Sequence, residues 1–114
     1  MALTQLSRRS WQAYFDRVAA ALAGRGAHVE PAGLGLDEAA HGQWVHLVSL
    51  SYDAEPDELA LTVEGARRLI IRHPRQVHVH QDGDWLHGME VLDAEGERHF
   101  LVLRSPLQVM GATV

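Results

Sequence analysis

Three histidines fall within a ten-residue segment, and imidazole is the side chain that most often binds transition metals near neutral pH. His78 and His80 are two residues apart, so on a strand both project from the same face. If Asp82-Gly83 forms a two-residue turn, His87 lies opposite His78 and Trp85 lies opposite His80. The three imidazoles would then converge and, with water as a fourth ligand, suit zinc, copper or nickel.

A simpler interpretation of the same hairpin is that the histidines face solvent. Val77, Val79 and Leu86 would then form the opposite, core-facing side, and Gly88 indicates a bulge that would turn His87 away from its neighbours. We favour this incidental role and expect no cofactor. A zinc or other transition-metal site at the histidines is the alternative.

Two further groups could carry chemistry. Tyr52-Asp53 with Asp57 offers carboxylates for acid/base work, although hairpin-turn chemistry explains the same residues. For binding, Trp85 is predicted to be an exposed aromatic beside the imidazoles, and Arg67 with Arg68 could hold an anion. A solvated charged segment is the simpler interpretation of the two arginines.

Composition narrows the classes of partner. The net charge is -5 and all ten cations are arginines scattered along 114 residues, which argues against nucleic acid and against an acidic membrane surface. Cysteine is absent, which excludes disulfides and thiolate metal sites. The N-terminal residues show no signal peptide, and no segment approaches the ~20 apolar residues of a membrane helix. We therefore expect a soluble, cytoplasmic protein.

One helix is predicted at about residues 7–23. Trp11, Phe15, Val18 and Leu22 recur at helical spacing, and Gly24 would end the helix. The hydroxyl of Ser7 is the predicted N-terminal cap.

The rest of the chain alternates in the manner of strands. Pro106 is expected to stop the last strand, leaving a loosely held tail at about 107–114. A short edge strand over 28–31 and a helical turn over 37–41 are further expectations, and 67–73 is equally a helical turn or a strand. The predicted strands are 44–52, 58–63, 76–81, 85–92 and 98–104.

The predicted fold is therefore α+β: a single domain over 1–114 with the N-terminal helix packed on an antiparallel sheet of about five strands in meander order. One helix covers only one sheet face. The last strand carries Leu101 and Leu103 on one side and Phe100 and Val102 on the other, so both faces are apolar. We expect a non-enzymatic interaction module whose partner is a second copy or another protein.

Short motifs are spread over nearly the whole chain. They comprise Ser10 to Val18, Trp44, Leu47, Leu50, Tyr52, Asp53, Pro56, Asp57, Ile71, His73, Pro74, Arg75, Leu86, Met89, Glu90, Val91, Asp93, Ala94, Gly96 and Leu103 to Leu107. This pattern resembles a family of small bacterial proteins known only as a domain of unknown function. The resemblance implies family membership and little about activity. The chain departs from the family pattern at Asp37-Glu38-Ala39, where members usually read Gly-Asp-Gln, and at Arg67-Arg68, where members usually read Asp-His.

Overall fold

The structure is a computed structural model that describes residues 3–36 and 44–109. One α-helix and eight strands are present in these ranges. They are α1 (Trp11–Leu22), β1 (Thr4–Gln5), β2 (Ala27–Val29), β3 (Val45–Asp53), β4 (Glu58–Val63), β5 (Arg67–Arg72), β6 (Pro74–Asp82), β7 (Trp85–Asp93) and β8 (Arg98–Gln108).

Helix α1 is amphipathic, as its spacing predicts. Its apolar face is buried, whereas the start of the predicted helix is a separate 3-10 turn over Arg8–Ser10. The predicted hydroxyl cap at Ser7 is wrong: the Ser7 carbonyl accepts from the backbone N–H and the hydroxyl of Ser10 instead. The Ser7 carbonyl thus bonds the turn that precedes the helix.

All strand pairs are antiparallel, and the strand order is β1-β6-β7-β8-β2-β3-β4-β5. Two three-stranded meanders, β3–β5 and β6–β8, are joined through the short strand β2. The α+β class with a helix on an antiparallel sheet is confirmed, and all five predicted strands are present, but the expected number of about five strands is wrong because β1, β2 and β5 bring it to eight. Strand β1 is too short to give a sequence pattern, and the sequence of β5 fits a helical turn and a strand equally well. Strand β2 lies inside the sheet, between β8 and β3, so the predicted edge position is wrong.

The sheet is strongly curved, because β5 and β6 are separated by His73 alone yet lie near opposite ends of the strand order. The concave side holds one continuous core that includes the buried face of α1. Trp11 packs edge-on against Tyr52 of β3, with ring centroids 5.6 Å apart. Helix α1 therefore covers one face of the sheet, as predicted.

The C-terminal end of β8 corrects two predictions. The strand continues through Pro106, and both Leu107 and Val109 are buried, so residues 107–109 are firmly packed rather than loosely held. Pro106 is tolerated because residues 103–106 have no partner on β7 and need no N–H there. The remainder of the predicted tail and the predicted helical turn over 37–41 lie outside the described residues.

No helix within the described ranges is both long enough and apolar enough to cross a membrane.

Candidate functional site

The hairpin β6–β7 carries the histidines on the side away from the core. Val77 and Val79 are fully buried, whereas His78 and His80 are half-buried on the opposite side of β6. The predicted shared face of the two histidines is therefore confirmed.

The predicted register across this hairpin is wrong. The turn residues are Gly83 and Asp84 rather than Asp82 and Gly83, and a further irregularity lies between His80 and Gln81. As a result His78 pairs with Glu90, and His80 pairs with Gly88. The predicted pairs of His87 with His78 and of Trp85 with His80 do not form.

Two of the three histidines nevertheless meet. The rings of His80 and His87 lie 5.2 Å apart, and His87 is the extra residue of a bulge in β7, since Gln81 pairs with Leu86 while His80 pairs with Gly88. Gly88 permits this arrangement, since a Cβ there would lie 2.7 Å from the Leu101 carbonyl oxygen. The predicted convergence of three imidazoles is reduced to a pair.

His80 has an unsatisfied polar atom. Its Nε2 is buried and has no hydrogen-bond partner among the described residues. Such an atom is rare in folded proteins, because a buried nitrogen loses its hydrogen bonds to water and here no protein group replaces them. The His80–His87 pair is therefore the part of the hairpin with unused ligand capacity.

The surface around this pair is partly apolar. We call the side of β6–β8 that faces away from the core the outer face. Phe100 and Val102 of β8 are 41% and 39% exposed, whereas Leu101 and Leu103 on the other side are buried, as their alternation predicts. The strand register places the outer-face residues in two rows, His78–Glu90–Phe100 and His80–Gly88–Val102.

An ion pair lies beside Phe100 on the outer face. Arg98 donates from its guanidinium to the Glu90 carboxylate, and both lie on the exposed side of their strands. The apolar side chains are thus flanked by a neutral ion pair rather than by an excess of one charge.

The predicted binding residues take separate positions. Trp85 is 47% exposed at the start of β7, as expected for a contact residue, but it pairs with Asp82 and Gln108 rather than with a histidine. Arg67 and Arg68 lie on the edge strand β5, opposite Val63 and Thr62 of β4.

The structure extends the predicted group of Tyr52 and Asp57 with Arg8 and His73, which lie at the β5–β6 corner. We call these four residues the corner cluster. The Asp57 Oδ1 accepts from the Tyr52 hydroxyl at 2.7 Å and from Arg8 at 3.3 Å. His73 donates its backbone N–H to the Asp57 carbonyl at 2.8 Å, and its Nδ1 lies 3.6 Å from Oδ2.

These contacts control ionisation in the corner cluster. Burial alone would raise the pKa of Asp57, but the hydrogen bonds from Tyr52 and Arg8 outweigh it and hold the pKa below its usual range. Burial raises the pKa of Tyr52, and its bond to Asp57 adds to that rise. Asp57 thus links the N-terminal segment at Arg8 to the β3–β4 turn and to the β5–β6 corner, through its Oδ1 and its backbone carbonyl. These contacts support the interpretation of Asp57 as a turn residue rather than as an acid/base group. Asp53 serves its own turn by accepting from the Glu55 N–H.

A polar group that the sequence analysis missed closes the β7–β8 turn. Asp93, Glu97 and His99 offer oxygen and nitrogen atoms within 4.8 Å of one another. The Asp93 carboxylate already accepts from His99 Nε2 and from the backbone N–H groups of Glu95 and Glu97, each at 2.9 Å. The His99 bond is the main cause of the lowered pKa of Asp93. The group is therefore satisfied by the turn itself.

Together these features define the class of protein. It is a small α+β protein in which one helix lies on the concave side of a curved antiparallel sheet, and the outer face carries both polar and apolar side chains. The chain belongs to the Family of unknown function (DUF5335), whose model matches residues 2–111. The resemblance inferred from the motifs is thereby confirmed.

A relative described as an uncharacterized protein from Aquifex aeolicus (strain VF5) is 24% identical over 104 residues. The match covers 91% of this chain and 94% of the relative. No solved structure matches the chain.

Proposed function

We propose that this protein is a non-enzymatic interaction module of the cytoplasm that forms a homodimer through the outer face. The observation that carries the proposal is the adjacent exposure of Phe100 and Val102, at 41% and 39%. Exposed apolar neighbours on a sheet face are typical of contact surfaces. The lack of cysteine suits a reducing compartment.

A second copy is the occupant that the charges favour. In a twofold dimer each residue of the patch meets the same patch of the partner, so an excess of one charge would repel itself. The pairing of Glu90 with Arg98 leaves no such excess between these two residues beside Phe100. The outer face is therefore compatible with its own copy.

The test is the molar mass in solution, measured by light scattering after size-exclusion chromatography across the micromolar range. We expect twice the 12.6 kDa chain mass for the natural protein and the chain mass for Phe100→Asp. Val48→Asp is the matched control, because Val48 is 45% exposed but lies on β3, which β2 separates from β8. A monomeric natural protein throughout the range, or equal effects of the two variants, would contradict the homodimer.

A second candidate function is transition-metal binding by His80 and His87. It is favoured by their 5.2 Å ring separation and by the unpartnered, buried Nε2 of His80. Two imidazoles suit zinc, copper or nickel when water or a neighbouring molecule completes the coordination.

Elemental mass spectrometry on untagged protein, purified without a chelator, tests the metal proposal. We expect near-stoichiometric metal in the natural protein, little in His80→Ala, and an unchanged content in His78→Ala. His78 is the matched control because it shares the face but pairs with Glu90 instead of approaching His87. Metal-free natural protein, or metal retained by His80→Ala, would rule the site out.

A further inference from the structure

A groove that contains neither Phe100 nor Val102 lies between β2, the start of β7 and the end of β8. It encloses about 250 Å³, and its walls include Arg25, His28, Trp85, Arg104 and Ser105. The groove is formed by β8, since Gly88 pairs with Val102 while Leu86 pairs with Leu107. Residues 103–106 therefore leave the β7 ladder and form one wall. We call this feature the arginine groove.

The charge of the arginine groove is opposite to that of the chain. The net charge is -5, yet two arginines and no carboxylate are among the residues that line it. Arg8, Arg72 and Arg98 each have a carboxylate partner, whereas Arg25 and Arg104 have none among the described residues. Guanidinium groups without a partner in a concave site are well suited to bind phosphate or carboxylate.

The wall that carries Arg25 is held in place before any ligand binds. His46 donates from Nε2 to the Arg25 carbonyl at 3.2 Å, because a carbonyl oxygen can only accept. The ring of His46 also stacks on His28, with centroids 5.1 Å apart. Glycine suits position 26, since its φ is 66° and a Cβ there would lie 2.8 Å from the Leu47 carbonyl oxygen. A wall ordered in advance lowers the entropic cost of binding.

The opposite wall offers an aromatic surface. Trp85 is 47% exposed, although indole is among the side chains that gain most from burial. An indole beside guanidinium groups can stack on a planar ring while the cations hold its acidic group. The volume of about 250 Å³ lies just below the usual range for ligand pockets, which begins at about 300 Å³, so the groove suits one small molecule.

We propose that the arginine groove binds a small organic anion that carries a planar ring, with a nucleoside monophosphate as the model ligand. Arg25 and Arg104 hold the anionic group, and Trp85 stacks on the ring. This site shares no residue with the homodimer patch or the His80–His87 pair, so the test of ligand binding is independent of the tests of those two proposals.

The test is a titration of 15N-labelled full-length protein with AMP, followed by NMR at the Trp85 indole N–H and at the backbone N–H groups of residues 103–108. We expect saturable shifts in both places with a Kd below about 1 mM. Adenosine and inorganic phosphate, titrated separately, should each bind at least about tenfold more weakly, because each lacks one half of the recognised chemistry.

Two variants assign the binding to the groove. Arg104→Gln should weaken AMP binding about tenfold or more, while Arg75→Gln, an equal loss of charge at an exposed position of β6, should leave it unchanged. The spectra themselves show whether each variant remains folded. The proposal is overturned if AMP causes no saturable shift at Trp85, if both variants bind equally well, or if phosphate alone binds as tightly as AMP.

Discussion

At the scale of single residues, backbone strain is concentrated in the corner cluster. Asp57 and His73 have φ values of 55° and 53°, a region that residues other than glycine seldom adopt. The conformation persists because the bond from His73 N–H to the Asp57 carbonyl and the side-chain contacts of Asp57 hold both turns. Asp57 therefore contributes to stability through its carboxylate as well as its backbone.

We expect Tyr52→Phe to raise the pKa of Asp57 and to lower the free energy of unfolding by about 1–2 kcal/mol, because a carboxylate loses a hydrogen bond. Urea unfolding and an NMR titration of the Asp57 carboxyl carbon measure the two effects. Tyr14→Phe is the control, since its hydroxyl donates to Gln81 instead. An Asp57 titration that is identical in the natural protein and in Tyr52→Phe would contradict the assignment.

Acid should destabilise the protein partly through Asp57 and Asp93, whose pKa values are both lowered in the folded state. Such carboxyls contribute stability above the unfolded pKa of about 3.9, and this contribution is lost as the pH falls through the folded-state pKa. Urea unfolding at a series of pH values below about 5 measures the loss. We expect Asp57→Asn to be less stable at neutral pH and to show a shallower decline. An equally steep decline in the variant would show that Asp57 is not one of the linked groups.

At the scale of elements, the bulge of β7 and the departure of β8 from its ladder shape the outside of the molecule. The bulge brings His87 to His80, and the departure opens the arginine groove. Gly88 lies between the two features, and a Cβ there would lie 2.7 Å from the Leu101 carbonyl oxygen of β8.

We expect Gly88→Ala to lower the free energy of unfolding by about 1–3 kcal/mol, because the new methyl group would collide with the Leu101 carbonyl. His78→Ala, on the same outer face, should change it by less than about 0.5 kcal/mol. Urea unfolding of both variants measures the difference. Equal stability of the natural protein and Gly88→Ala would mean that the strands separate there without cost.

The end of β8 should be important for stability. Leu107→Ala removes a side chain that is only 7% exposed, so we expect a loss of about 2–3 kcal/mol. Gln108→Ala, at the exposed neighbouring position, is the control. Thermal and urea unfolding distinguish the two, and a neutral Leu107→Ala would restore the prediction of a loosely held tail.

At the scale of the whole molecule, curvature gives the sheet two unlike sides. The concave side encloses α1 and the core, whereas Phe100 and Val102 on the outer face stay 41% and 39% exposed. A homodimer would remove Phe100 and Val102 from water, which couples association to folding.

The proposed homodimer predicts a melting temperature that rises with protein concentration, because mass action favours the folded dimer. Differential scanning calorimetry over a hundredfold concentration range should show this rise for the natural protein and for Val48→Asp. Phe100→Asp should melt at a temperature independent of concentration. The absence of any dependence in the natural protein would argue against the dimer and leave the arginine groove unaffected.

Local signals in the sequence determined the elements that depend on near neighbours. The spacing of Trp11, Phe15, Val18 and Leu22 predicts the buried face of α1, and strict alternation predicts β4 over Glu58–Val63. Alternation also identifies the sides of His78 and His80, because side chains on a strand point to opposite faces in turn. Motif resemblance, likewise a property of the sequence, identified the family.

Only the tertiary structure decided which of these residues meet. Because of the shifted turn and the bulge, His78 is not opposite His87, and His80 contacts His87 instead. The register depends on contacts between strands, which the periodicity of one strand does not encode. The same holds for the corner cluster and the arginine groove, whose residues are distant in sequence. Side-chain type and face follow from local spacing, whereas convergence follows from how the strands pair and curve.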